Sequence, residues 1–118
     1  DKAQLSDRPE KFFAAEFVRE KIFETYDDEV PYSCEVTVES FKELENKIVC
    51  ECVVHVIRDS QKGIVIGHKG QKIRHVTERA QRAMYRFFGK RFDLKLRVKV
   101  SKDWRTDDAL LREFGYLG

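Results

Sequence analysis

Residues 61–76 read QKGIVIGHKGQKIRHV. Gly63, Gly67 and Gly70 punctuate a β-branched run, with Lys62, His68, Lys69, Lys72 and Arg74 around them. Such a stretch can cradle the phosphates of a nucleotide, hold the backbone of a nucleic acid, or simply turn the chain. A Walker-type loop requires four residues between its glycines, then Gly-Lys followed by Ser or Thr, so that a hydroxyl reaches magnesium. Here Gly63 and Gly67 enclose only three residues, and Gln71 follows Gly70. The dinucleotide fingerprint G-x-G-x-x-G is absent as well. A nucleotide cradle is therefore excluded for this stretch.

What remains is Gly67-His68-Lys69-Gly70, a weak signal alone that gains meaning from its surroundings. It interrupts a helical pattern, with a short helix around IVI before it and a long helix from Gln71 to about Phe88 after it. The long helix carries the apolar row Ile73, Val76, Ala80, Ala83 and Phe87. His75, Arg79, Arg82 and Arg86 lie on its opposite side; the arginine stripe there suits RNA contact, a face for a further domain or plain solvation, the last slightly favoured, and Gly89 supplies a stop. Two glycines permit a sharp bend and leave no Cβ to obstruct a chain lying close by. The first amides of the following helix point at the bend, and the helix dipole favours an anion there. Lys69, and His68 when protonated, add positive charge, with Lys62, Lys72 and Arg74 flanking the entrance. Ile64, Val65 and part of Ile73 offer apolar surface for bases, although Ile66 and Ile73 fit a core role equally well. Such a bend accepts a sugar–phosphate chain passing over it.

The rest of the chain supplies a scaffold. Residues 7–26 predict a helix, with Asp7 as its cap, Glu10 in the capping-box position and Pro9 in the tolerant first turn. Phe13, Ala14, Phe17, Val18 and Ile22 share its apolar face, and Pro31 ends it by disfavouring helical geometry at Val30. CEVTVESF (34–41) and IVCECVVHVIR (48–58) alternate as strands with one wet face, joined by the polar hairpin loop KELENK (42–47). In a third strand, FDLKLRVKV (92–100), Phe92, Leu94, Leu96, Val98 and Val100 point inward. The order helix, strand, strand, short helix, helix, strand predicts an α+β domain in which helices cover one face of a three-stranded mixed sheet. Strands one and two should pair antiparallel, and two and three parallel through a right-handed crossover. The tail DWRTDDALLREFGYLG (103–118) predicts one short helix, with Trp104, Leu110 and Phe114 folding back on the body. Residues 101–118 thus read as an extension of a single domain spanning 1–118.

Charge is distributed unevenly behind a net of +2. Residues 1–57 carry −7, residues 58–105 carry +11 and residues 106–118 carry −2. A segment this basic within a nearly neutral chain is the electrostatic footprint of a polyanion partner. No apolar run reaches membrane-spanning length, and the absence of an initiator Met suggests a fragment of a longer protein. Cys34, Cys50 and Cys52 are an odd set that suits a reducing compartment. Alternation puts Cys50 and Cys52 on one strand face and His55 on the other, so the three read as no metal site; the cysteines read as buried apolar residues. His55 and His75, on wet faces, have no nucleophile or paired carboxylate at a useful spacing. The sequence predicts neither catalysis nor a cofactor.

The pieces LSDRPEKFFAAEFVREKIF (5–23), EVPYS (29–33), SQKGIVIGHKGQKI (60–73), LKLRVKV (94–100), DWR (103–105) and LREFGY (111–116) together resemble a known family. The chain is similar to a type II KH domain, specifically the C-terminal RNA-binding domain of the Era family of bacterial GTPases. The resemblance implies an α-β-β-α-α-β fold that binds single-stranded RNA through the GXXG loop at Gly67, His68, Lys69 and Gly70. It implies the 3′ end of small-subunit (16S) ribosomal RNA as target, the small ribosomal subunit as partner and a role in that subunit's maturation. It also implies a covalently linked GTPase domain upstream, absent from this chain, and a cytoplasmic setting, peripheral at the membrane at most. The rival reading is a KH-shaped protein-interaction module, which would tolerate acidic residues in the loop.

Overall fold

The computed structural model describes residues 2–102 together with Ala109 and Arg112. The expected tail helix and the packing of Trp104, Leu110 and Phe114 lie outside the described residues. In chain order the elements are α1 (Lys2–Thr25), β1 (Glu35–Glu43), β2 (Lys47–Val56), α2 (Asp59–Ile66), α3 (Gln71–Phe88) and β3 (Arg91–Val100).

α1 begins earlier than its sequence signals suggest. Lys2, Ala3, Gln4 and Leu5 are good helix formers, so the helix runs through Pro9, and Asp7 lies within it rather than at its cap. Pro9 lacks the N–H that the Leu5 carbonyl would otherwise accept. The end of α1 also differs from expectation. Val30 keeps right-handed helical angles (φ −55°, ψ −51°) although Pro31 follows, because it opens a short 3-10 turn over Pro31–Ser33. The chain changes direction instead at Asp28, whose φ of 58° lies in the left-handed region that Asp tolerates better than most residues.

The sheet has the order β1-β2-β3, with β1 antiparallel and β3 parallel to β2, as the connections require. A bulge between Val38 and Ser40 resets the alternation, so that Phe41, opposite Cys50, shares the apolar face of Val36 and Val38. Helices pack on that face. Ala14, Val18 and Ile22 of α1 meet Val76, Ala80 and Met84 of α3 over Cys50, Cys52 and Val54 of β2, all essentially without exposure. Met84 replaces Phe87 in the α3 row, because positions 76, 80 and 84 track the contact with the core. Phe87 (45% exposed) and Phe13 (40%) lie at the margin, their ring centroids 4.9 Å apart. The Cys50 and Cys52 thiols sit side by side, with sulfurs 3.7 Å apart, and that contact together with burial pushes the Cys52 thiol well above its ordinary value. Cys34 is pushed up to about 12, by burial first and by Glu35 second.

The opposite face of the sheet was expected to be wet, and around His55 it is not. Glu35, Thr37, Val53 and His55 are all buried. An apolar Val53 at an outward position is the signal that simple alternation passes over. The His55 ring is hydrogen-bonded at both nitrogens, Nε2 to the Thr37 hydroxyl and Nδ1 to the Ser101 hydroxyl, each at 2.8 Å. Glu35 accepts from the Arg19 guanidinium and, at 3.1 Å, from the Val36 amide.

Burial, then Lys99, lowers the proton affinity of His55; Arg97 adds to this, while Glu39 and Glu35 oppose it. The native ring therefore stays neutral where the unfolded chain has already taken up a proton. Its contribution to stability is complete above the unfolded-state pKa of about 6.5 and is lost progressively as pH falls through that value toward the lowered native one. The melting temperature should decline from about pH 7.5 to about pH 5, and decline less in His55→Gln, which retains a donor and an acceptor for the two hydroxyls. Equal slopes in the two proteins would remove His55 as the cause.

Candidate nucleic-acid interface

α2 is a helix of little more than two turns whose start is held by the Gln61 side chain, which accepts from the Ile57 and Arg58 amides at 3.0 and 3.1 Å. It ends at Gly67, whose N–H donates to the Gly63 carbonyl at 2.9 Å. Three of the four residues 67–70 take positive φ: Gly67 (77°), Lys69 (53°) and Gly70 (75°). The Gly70 amide donates to the Gly67 carbonyl at 3.1 Å, and the Gln71 amide to that of His68. These bonds turn the amides of Gly67, Gly70 and Gln71 inward.

The two glycines of the bend serve different purposes. Gly67 combines φ 77° with ψ 178°, a region open only to glycine. A Cβ there would lie 2.5 Å from Lys72 Cγ and 2.7 Å from Lys72 Cβ. The sequence suggested open space at both glycines, but at Gly67 the space belongs to the chain's own lysine. Gly70, with ordinary left-handed angles, has no atom of the described residues within 4 Å of where its Cβ would be.

The candidate residues separate into distinct groups. His68 and Lys69 are exposed at the tip, Arg74 is exposed on α3, and Lys62 is half-buried on α2. Ile64 is 52% exposed and remains available as apolar surface. Ile73 is half-buried against the core. Val65 must be withdrawn from the base-contacting surface: its side chain has no exposure, and its carbonyl accepts the hydroxyl of Tyr26. Lys72 is exposed in the first turn of α3. Its stem packs against Gly67, and its ammonium lies 5.7 Å from the centroid of the Tyr26 ring. Tyr26, 39 residues before Val65, was missed because no local spacing connects it to the bend.

On the far side of α3, Arg79 pairs with Glu24 at 2.9 Å, while Arg82 and Arg86 are exposed and line a shallow furrow with Lys21. Among the described residues no three His, Cys, Asp or Glu side chains gather as a metal site. No helix among them is long and apolar enough to cross a membrane.

A mixed three-stranded sheet with helices on one face, and a glycine-bounded bend leading into the longest sheet-covering helix after α1, define a KH domain. The family model for the KH domain matches residues 29–105, and the chain belongs to that family. More particularly, it resembles the C-terminal domain of the bacterial GTPase Era. GTPase Era of Geotalea daltonii is 46% identical over 113 residues, covering 95% of this chain and 38% of that protein. GTPase Era of Lacticaseibacillus paracasei is 45% identical over 114 residues, covering 96% and 38%. A crystal structure of Aquifex aeolicus Era bound to GDP·AlF4− matches with a TM-score of 0.85 at 36% identity, over 90% of this chain and 36% of that one. A crystal structure of Era with MgGDPNP and nucleotides 1506–1542 of 16S ribosomal RNA matches with the same TM-score, identity and coverage. The chain thus spans less than two-fifths of the relatives it matches.

Proposed function

We propose that this domain binds single-stranded RNA across the 67–70 bend, and that its natural target is the 3′ end of small-subunit ribosomal RNA. The observation that carries the reading is the bend itself: an exposed His68-Lys69 tip beside an open Gly70, at the start of a helix whose dipole favours an anion. Membership of the KH family and the likeness to an Era complex that contains nucleotides 1506–1542 of 16S ribosomal RNA support it. In this reading Lys62, Lys69 and Arg74 neutralise phosphates, the amides of His68 and Lys69 face the backbone, and Ile64 with the accessible part of Ile73 receives bases. The chain contributes binding and no catalysis. It acts as the RNA-binding part, residues 1–118, of an Era-like GTPase in small-subunit maturation in the cytoplasm.

Affinity for a 16S 3′-end oligonucleotide, compared with a scrambled one of equal length, tests the target. The native sequence should bind more tightly, and equal affinities would reject it. A salt titration tests the phosphate contacts. With about three phosphates neutralised, log affinity for a single strand falls against log salt with a slope near −2. A flat response would rule out backbone recognition and favour a protein-docking module.

A further inference from the structure

The bend is braced from behind by Tyr26 and Lys72. Tyr26, buried just after the end of α1, donates its hydroxyl to the Val65 carbonyl in the last turn of α2. Lys72, in the first turn of α3, places its ammonium 5.7 Å from the centroid of the same ring. The stem of Lys72 fills the space that a side chain at Gly67 would need. One aromatic ring therefore ties together the ends of three helices, next to the residues from which the loop hangs.

We propose that Tyr26 and Lys72 form a brace that sets the geometry of the 67–70 loop, with Lys72 a positioning residue and not a phosphate ligand. This inference rests on the RNA-binding reading above. A lysine moving its ammonium to a phosphate would give up its contact with the ring face, whereas Lys69 has no such engagement among the described residues. The Tyr26 hydroxyl remains a donor throughout the neutral range, because burial, and then Cys34, pushes its ionisation far upward. Without that donor the Val65 carbonyl loses a partner, and the loop samples geometries in which its tip no longer meets the RNA strand. One neutral hydrogen bond is enough to bias such an equilibrium by roughly tenfold.

Four proteins test this with a single-stranded oligoribonucleotide of the 16S 3′-end sequence: the native chain, Lys72→Met, Lys69→Met and Tyr26→Phe. Lys72→Met keeps the stem and removes the cation over the ring; it should bind about threefold more weakly than native at an unchanged salt slope, since a positioning contact and no phosphate contact is lost. Lys69→Met should flatten the slope by about 0.7, the signature of one lost phosphate contact. Tyr26→Phe keeps the ring and should bind roughly tenfold more weakly at an unchanged slope, since the phosphates contacted are the same. A slope in Lys72→Met as flat as that of Lys69→Met, or native affinity in Tyr26→Phe, overturns the proposal. Amide exchange in the RNA-free chain provides an independent readout. The Gly67 amide should exchange roughly tenfold faster in Tyr26→Phe while the amides of β2 are unaffected, and an unchanged Gly67 overturns the brace. If the native chain fails to bind the oligonucleotide, the RNA reading falls, and the exchange result alone decides the brace.

Discussion

Replacing His68 and Lys69 together by aspartate is expected to weaken single-stranded RNA binding by at least about 100-fold, or about 2.7 kcal/mol. Two side chains at the tip change from cationic or neutral to anionic, directly where phosphates would lie, and like-charge juxtaposition is costly. The fold should be unaffected. Both positions are exposed, and Lys69 has φ 53°, a left-handed conformation that aspartate accepts at least as readily as lysine. Acidic groups just before α3 also suit its dipole. Loss of affinity with an unchanged or slightly raised melting temperature is therefore the signature. Affinity within about threefold of native would remove the tip from the binding site.

The second large effect separates the two glycines. Gly67→Ala should destabilise the domain by about 3 kcal/mol, lowering the melting temperature by roughly 10 °C. It forces an alanine into glycine-only angles and drives its Cβ into the stem of Lys72. Gly70→Ala should cost only about 1 kcal/mol, the ordinary penalty for a left-handed alanine, because its Cβ would meet none of the described residues. Its effect on RNA should nevertheless be out of proportion, since the added methyl occupies the space a passing backbone would use. Thermal melts of the two variants check the ordering, and equal losses would contradict the distinct roles assigned to them.

Much of the scaffold was legible because it is written in local periods. Alternation identified the three strands, and the crossover through two helices dictated the parallel pairing of β2 with β3. The bounds of α3 followed from Gly70 before it and Gly89 after it, both left-handed in the structure. What could not be read depends on partners distant in sequence or on competition between local rules. The helix formers ahead of Pro9 outweighed the capping signal at Asp7, and the turn over Pro31–Ser33 outweighed the constraint on Val30. The bulge that swings Phe41 inward and the burial of His55 depend on the pairing of β1 with β2. At the site, the tip residues were recognisable from the tetrapeptide. Val65 was not correctly placed, and the contact of Lys72 with the Tyr26 ring could not be read, because Tyr26, which engages both, stands far upstream in the chain.

The most direct measurement is a titration of the isotope-labelled domain with a single-stranded 16S 3′-end oligoribonucleotide, following backbone amide resonances. The largest shifts should fall on His68, Lys69, Gly70 and the first turn of α3, with smaller ones near Ile64. Shifts confined to the far side of α3 around Arg82 and Arg86, or to the sheet around His55, with the 67–70 amides unmoved, would contradict the account.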